Sequence, residues 1–160
     1  MPTPRVFLSH KREDSVLAAG VARKLEAGGL LVYLDLIDNN IDKDGPDLAD
    51  YLRAQLGACT QLLAVISRAT TTSWWVPWEI GVATEKERFL ASFVAGDATV
   101  PDYLRKWPYL RTEADLQIYV QKSKAAQTLV EDRRSRGHTA SAQTTGFREF
   151  HRSLKAALRQ

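Results

Sequence analysis

Apolar residues fall along this chain in two alternating rhythms. Short, nearly unbroken apolar runs recur at residues 6–8, 30–34, 62–66 and 89–94, and between them apolar positions return every three to four residues. The short runs match strands buried on both faces, and the wider spacing matches helices packed on one side. Residues 5–10 read as a first strand. A helix follows over 14–26 with Leu17, Val21 and Leu25 on one stripe, Asp14 or Ser15 as its cap and Gly28-Gly29 behind it. A second strand spans 30–35 and an Asp- and Asn-rich loop 36–47. The next helix carries Leu48, Leu52 and Leu56 and ends at Gly57. A third strand covers 61–67. A third helix covers 73–87, with Pro77 in its first turn, where a missing N–H is tolerated. A fourth strand spans 89–95. Residues 96–115 form a long connection holding Tyr103, Trp107 and Tyr109, with room for a short helix. Residues 116–120 fit either a fifth strand or the start of a helix, and helical spacing continues to about 134. The stretch 135–145 reads as a polar loop. A last helix over 147–158 puts Phe147, Phe150, Leu154 and Leu158 on one face.

Strands that alternate with helices predict a parallel sheet with right-handed crossovers. For five strands the expected order is 2-1-3-4-5, with its switch point between strands one and three. That crevice receives residues 9–14 from one side. From the other it receives the segment Ser73-Trp74-Trp75-Val76-Pro77-Trp78-Glu79, which holds three of the four tryptophans. One reading makes the tryptophans packing residues and Glu79 a first-turn acid favoured by the helix dipole. The other makes Glu79 a functional carboxylate at the sheet's mouth.

Composition narrows the field. A chain of 160 residues with 44% apolar and 26% charged residues suits one soluble domain with its own core. Cys59 is the lone cysteine, so no disulfide framework or cysteine metal cluster is expected, and its apolar setting suggests a buried thiol. No apolar run reaches membrane-span length, and Met1-Pro2-Thr3-Pro4 lacks the features of a signal peptide, so a cytoplasmic protein without membrane contact is expected. The net charge of +3 hides an asymmetry. Residues 1–120 carry 13 Lys and Arg against 16 Asp and Glu, whereas residues 121–160 carry 9 against 3. A basic tail of this kind would suit nucleic acid, but no aromatic residues interleave with the charges. The solvated face of helices is the preferred reading, and no nucleic-acid partner is expected.

Several chemistries fail at the crevice. A phospho-receiver needs an acidic pair after strand one and an aspartate closing strand three; here Lys11-Arg12 precede Glu13-Asp14, and Ser67 closes strand three. The loop after strand one is too bulky and charged for a flavin phosphate, and no Gly-rich phosphate motif occurs. Asn40, Asp42, Asp44 and Gly45 echo the start of a calcium loop, but Tyr51 stands where the bidentate glutamate belongs. His10, His138 and His151 lack metal-ligand spacing, so no metal is expected. Adjacent Ser9 and His10 cannot meet face to face as a catalytic pair.

Four segments in order resemble the Toll/interleukin-1 receptor (TIR) domain family: Val6-Phe7-Leu8-Ser9-His10 its first box, Leu31-Val32-Tyr33-Leu34-Asp35 its second strand, Asp44-Gly45-Pro46-Asp47-Leu48 the turn ending the following loop, and Ser73-x-Trp75-x-x-x-Glu79 the pattern around the glutamate of members that cleave NAD. The resemblance implies an α/β, flavodoxin-like three-layer fold with the 2-1-3-4-5 sheet and extra C-terminal helices, a TIR domain over 1–120, and a helical extension over 121–160 packed on it. It also implies an NAD+ nucleosidase or cyclase of the bacterial type with Glu79 catalytic. Ser9, His10, Lys11, Arg12, Asp35 and Trp75 would bind substrate. NAD+ would be a substrate, with no cofactor. In such chemistry a carboxylate near the ribose stabilises an oxocarbenium-like transition state while nicotinamide leaves as a neutral ring. Family precedent sets loop 36–47 over the cleft or against a neighbouring subunit. Self-association through TIR–TIR contacts, activation by assembly or a separate protein, and a signal-receiving effector are implied partners. In form the chain is similar to the signal-producing component of Thoeris-type antiphage systems. The family's non-catalytic members, adaptors and host-mimicking effectors that only associate, give the alternative. His10 departs from the family's usual aromatic, and residues 96–115 and the tail from Gln121 depart from its shortest members.

Overall fold

Every residue of the third and fourth strands is buried, so both faces of the sheet need cover. The structure, a computed structural model, describes residues 3–34, 45–72 and 75–160, with the side chains among them except those of 45–49, 52, 71–72, 75–78 and 85. Strands β1 (Arg5–Ser9), β2 (Leu31–Leu34), β3 (Gln61–Ile66), β4 (Phe89–Val94) and β5 (Tyr109–Leu110) form one parallel sheet of order β2-β1-β3-β4-β5. This is the expected flavodoxin-like topology. The helices are α1 (Ser15–Ala27), α2 (Gly45–Ala58), α3 (Trp75–Glu85), α4 (Glu113–Ser135) and α5 (Thr139–Leu158).

Side-chain alternation divides the core in two. Val6, Leu8, Leu63, Val65, Phe89, Ala91 and Phe93 point to the layer formed with α1, α4 and α5. Phe7, Leu62, Ala64, Ile66, Leu90 and Val94 point to the other layer, where Leu56 of α2 and Ile80 and Ala83 of α3 meet them. The stripe Leu17, Val21 and Leu25 of α1 packs inward as its spacing predicts. Cys59 is 2% exposed, and burial pushes its thiol up to about 11. No helix among the described residues is long and apolar enough to cross a membrane.

Of the two readings open for residues 116–120, the helix is the one that forms, and the fifth strand is the two-residue β5. The cause is a capping box: Asp115 N–H donates to the Thr112 hydroxyl at 3.1 Å, and Thr112 N–H donates to the Asp115 carboxylate at 3.1 Å, which starts α4 at Glu113. Residues 139–145, read as polar loop, form the first two turns of α5. Only Arg136, Gly137 and His138 separate the two helices, with Gly137 at φ +86°, a conformation glycine adopts without strain. Ala142 is fully buried, so tertiary packing overrides the polar composition here.

Helix α5 also closes the sheet's edge. β5 pairs only with Ser92 and Phe93, leaving the earlier part of β4 without a strand on the side away from β3. The buried His151 ring fills that gap, its Nε2 lying 3.0 Å from both the N–H and the C=O of Leu90. The Gln160 amide does the same for β5, accepting from Tyr109 N–H at 3.0 Å and donating to Tyr109 C=O at 2.6 Å. Covered edges do not template pairing with another chain.

Burial holds the His151 pKa down to about 4, against the pull of the Phe147 and Leu90 carbonyls. The unfolded chain therefore takes up a proton near pH 6.5 that the folded protein refuses until about pH 4. Stability is fully present above pH 6.5 and is lost as pH falls toward 4. Urea unfolding is expected to show roughly 2–3 kcal/mol lost to this group between pH 7 and 4.5, and His151→Gln is expected to lack that part of the slope. A second expectation concerns the α4–α5 contact. A Cβ at Gly146 would overlap the Val130 side chain and press on the Phe89 ring at 3.4 Å. Gly146→Ala is expected to cost about 1–3 kcal/mol in thermal or urea unfolding, although alanine is the better helix former.

Candidate active site

The mouth of the sheet between β1 and β3 is built from the two connections that leave those strands. Ser9 is the last residue of β1, in register with Ala64 of β3. Phe7, two residues earlier, faces the α2–α3 layer, so Ser9 faces it too. Helix α3 lies over that face and carries Glu79 as its fifth residue. The Ser9 hydroxyl donates a short hydrogen bond to the Glu79 carboxylate, and both residues are 0% exposed. A carboxylate withdrawn from water needs donors, and a hydroxyl on an ionised oxygen makes a strong one. Glu79 is therefore not the first-turn surface acid of the simpler reading: no acid lies in the first turn of α3, and the helix-dipole effect has faded by the second.

The next residues turn back across the mouth. His10 is 8% exposed, with its Nδ1 3.3 Å from the Leu8 carbonyl. Lys11 donates from its ammonium to the Ala69 carbonyl at 3.2 Å and pairs with Glu13 at 3.6 Å. Arg12 opens a 3-10 turn, Arg12–Asp14, and is exposed. The sequence thus brings Ser9, His10, Lys11 and Glu79 to one end of the sheet. Asp35 and the Asp-rich segment 36–44 lie outside the described residues, as does the Trp75 side chain, whose backbone starts α3. Two surface cavities, of about 380 Å³ against α1 and α4 and about 450 Å³ beside Arg105, Arg111 and Lys155, lie away from Glu79.

Sequence reasoning missed a second polar cluster. Asp14 holds the N-cap position of α1, yet its side chain makes no capping bond. The carboxylate, 8% exposed, instead accepts from the Ser67 hydroxyl at 2.7 Å, across the seam. Ser67 in turn accepts from Ala69 N–H at 3.0 Å, and Ser67 N–H donates to the Thr70 hydroxyl at 2.8 Å. The legible signal was Ser67 and Thr70, three apart, directly after a buried strand. What they bind was not legible.

With a parallel 2-1-3-4-5 sheet and an acid at its switch point, comparison with known proteins becomes decisive. The TIR domain family matches residues 6–130, most of the chain. This chain belongs to the TIR domain family. Over 79 residues the TIR domain is 34% identical to the probable 3' cyclic ADP-D-ribose synthase ThsB′ of Bacillus cereus (strain MSX-D12). The match covers 48% of this chain and only 41% of that protein. A diflavin flavoprotein A3 from Nostoc sp. is similar at 16% identity and a TM-score of 0.44, over 78% of this chain and 97% of that one, a level that bears on neither fold detail nor function.

Removing the hydroxyl from Ser9 leaves the TIR domain's buried carboxylate short of a donor. Ser9→Ala is expected to lower unfolding free energy by about 1–3 kcal/mol in urea titration, with the fold retained by circular dichroism.

Proposed function

We propose that this TIR domain cleaves the nicotinamide–ribose bond of NAD+, with Glu79 as the catalytic carboxylate. The observation that carries the reading is a glutamate at the β1–β3 switch point, held by Ser9 from the facing strand. Open parallel sheets keep their ligand sites at that point. The name of the Bacillus cereus relative, a cyclic ADP-D-ribose synthase, supports the same chemistry. Departure of neutral nicotinamide needs no strong general acid. Positive charge builds on the ribose ring and C1, and a carboxylate beside them stabilises it while accepting from the ribose hydroxyls. Water capturing the cation gives ADP-ribose; an adenine nitrogen or a ribose hydroxyl gives a cyclic isomer, which would serve as an antiphage signal read by a separate effector. Ser9, His10, Lys11, Arg12, Asp35 and Trp75 are proposed to contact the dinucleotide. Arg12, planar and permanently charged, suits the diphosphate. Self-association through TIR–TIR contacts, with a separate activator, is the proposed control.

One observation favours a second reading. Glu79 is 0% exposed, so substrate reaches it only when the side chains above it move. A carboxylate that stays sealed is a packing element, and the protein is then a non-catalytic interaction module. The two readings separate in one assay. Concentrated protein is incubated with NAD+, nicotinamide release is followed, and the product is identified by mass spectrometry. The enzyme reading expects release that falls at least about a hundredfold in Glu79→Gln, with the thermal midpoint confirming a folded variant. No release from wild type at high concentration or on a crowding surface supports the module. Equal release by the variant removes Glu79 from the mechanism.

A further inference from the structure

We propose that Asp14 is a positioning residue for Glu79, acting through Ser67 and the turn that leads into α3. This rests on the NAD+-cleaving reading above. The starting point is a carboxylate in an unexpected place. Asp14 precedes α1 and has the residue type favoured for capping it. It gives up that local bond and stays 8% exposed to accept from a hydroxyl 53 positions away. Burying an acid is unfavourable unless donors compensate, so the contact with Ser67 is where its interaction energy is concentrated.

Ser67 is the first residue after β3, and the 3-10 turn Arg68–Thr72 follows it. Three bonds fix the start of that turn: Ala69 N–H to the Ser67 hydroxyl, Ser67 N–H to the Thr70 hydroxyl, and the Lys11 ammonium to the Ala69 carbonyl. Helix α3 begins at Trp75, three residues after the turn, and carries Glu79 in its second turn. The end of β1 and the connection after it thus hold α3 and the turn before it at two places. Ser9 holds the acid itself, and Asp14, with Lys11 beside it, holds the turn that delivers the helix bearing the acid. The Ser67 hydroxyl is the relay, since it donates to Asp14 and accepts from Ala69 N–H. Loss of Asp14 frees this turn and lets α3 shift relative to Ser9. A displacement of about 1 Å at a reacting group is enough to cost a hundredfold in rate.

The test compares Asp14→Asn, Asp14→Ala, Ser67→Ala and the double alanine variant with wild type and Glu79→Gln, reading kcat and KM for nicotinamide release and the thermal midpoint. Asp14→Ala and Ser67→Ala are expected to lower kcat about ten- to a hundredfold with KM within about twofold. The double variant is expected to be no worse than the poorer single one, because both remove the same bond. Asp14→Asn, whose amide oxygen still accepts from Ser67, is expected to stay within about threefold of wild type. Wild-type kcat in both alanine variants, alongside an inactive Glu79→Gln, overturns the role of Asp14 and leaves the enzyme reading intact. A fall in kcat as large in Asp14→Asn as in Asp14→Ala also overturns it, because a variant that keeps the bond to Ser67 then loses as much as one that removes it. Should Asp14→Ala fail to fold, Ser67→Ala and Asp14→Asn decide alone. A wild type that releases no nicotinamide sinks the enzyme reading and this role together.

Discussion

The register between β1 and β3 is the constraint on which the rest of the molecule depends. Val6 pairs with Gln61, and each later residue follows, so that Ser9 lies against Ala64. Side chains alternate faces along a strand, and a slip of one position would send Ser9 into the α1 layer and Leu8 into the α3 layer. The register is held firmly because both strands are buried and apolar, with Phe7 and Leu62 on one face and Leu8 and Leu63 on the other. At this seam the chain also changes direction. The connection from β1 leads to α1 on one face, and that from β3 leads to α3 on the opposite face. Two loops diverging from adjacent strand ends leave polar backbone and side chains facing each other, which is why polar contacts collect there.

The far edge of the sheet obeys a different economy. β5 is two residues long and cannot satisfy the whole of β4. Side chains from α5 and from the residues after it take over: the buried His151 imidazole for Leu90 and the Gln160 carboxamide for Tyr109. Around the imidazole, Trp107, Phe147 and Phe150 pack with ring centroids 4.4–5.2 Å from it, so the polar tip is held inside an apolar collar. That arrangement favours the neutral ring and ties the last helix to the sheet. Beside the start of β4, Gln61 on β3, in register with Phe89, accepts from the Tyr119 and Ser123 hydroxyls at 2.5 and 2.7 Å, which ties α4 to the sheet as well. The C-terminal helices are therefore part of the core.

Much of this was legible in the chain. The nearly unbroken apolar runs of β3 and β4 predicted burial on both faces, and the four-residue spacing of Leu17, Val21 and Leu25 predicted the packed side of α1. From those patterns the strand order follows, and with it the meeting of Ser9 and Glu79. Illegible were features that depend on a partner distant in sequence. Nothing local in residues 139–145 announces a helix; the helix forms where Ala142 is fully buried and Gly146 packs closely against Val130 and Phe89. Nothing near Asp14 says that it will prefer Ser67 to its own helix, since capping and cross-strand bonding use the same residue types. The β5 strand was missed because two residues carry no periodicity.

The burial of Glu79 bears on how a single acid can serve both folding and chemistry. A sealed carboxylate with a hydroxyl donor is a stable element of the core, held in a region of low dielectric where every interaction is amplified. Under the proposed NAD+ cleavage the same surroundings would make it a strong electrostatic partner for the cation, because water is already excluded. The requirement is that the cover over the acid be separable from the scaffold that aims it. Under the proposed reading the hydrogen bonds at this mouth suit that requirement: Ser9 holds the acid from the end of β1, and Asp14 and Ser67 hold the turn that precedes α3. An acid aimed from below by the sheet keeps its orientation when what lies above it opens. A carboxylate held only by its cover would lose its aim in the moment of exposure.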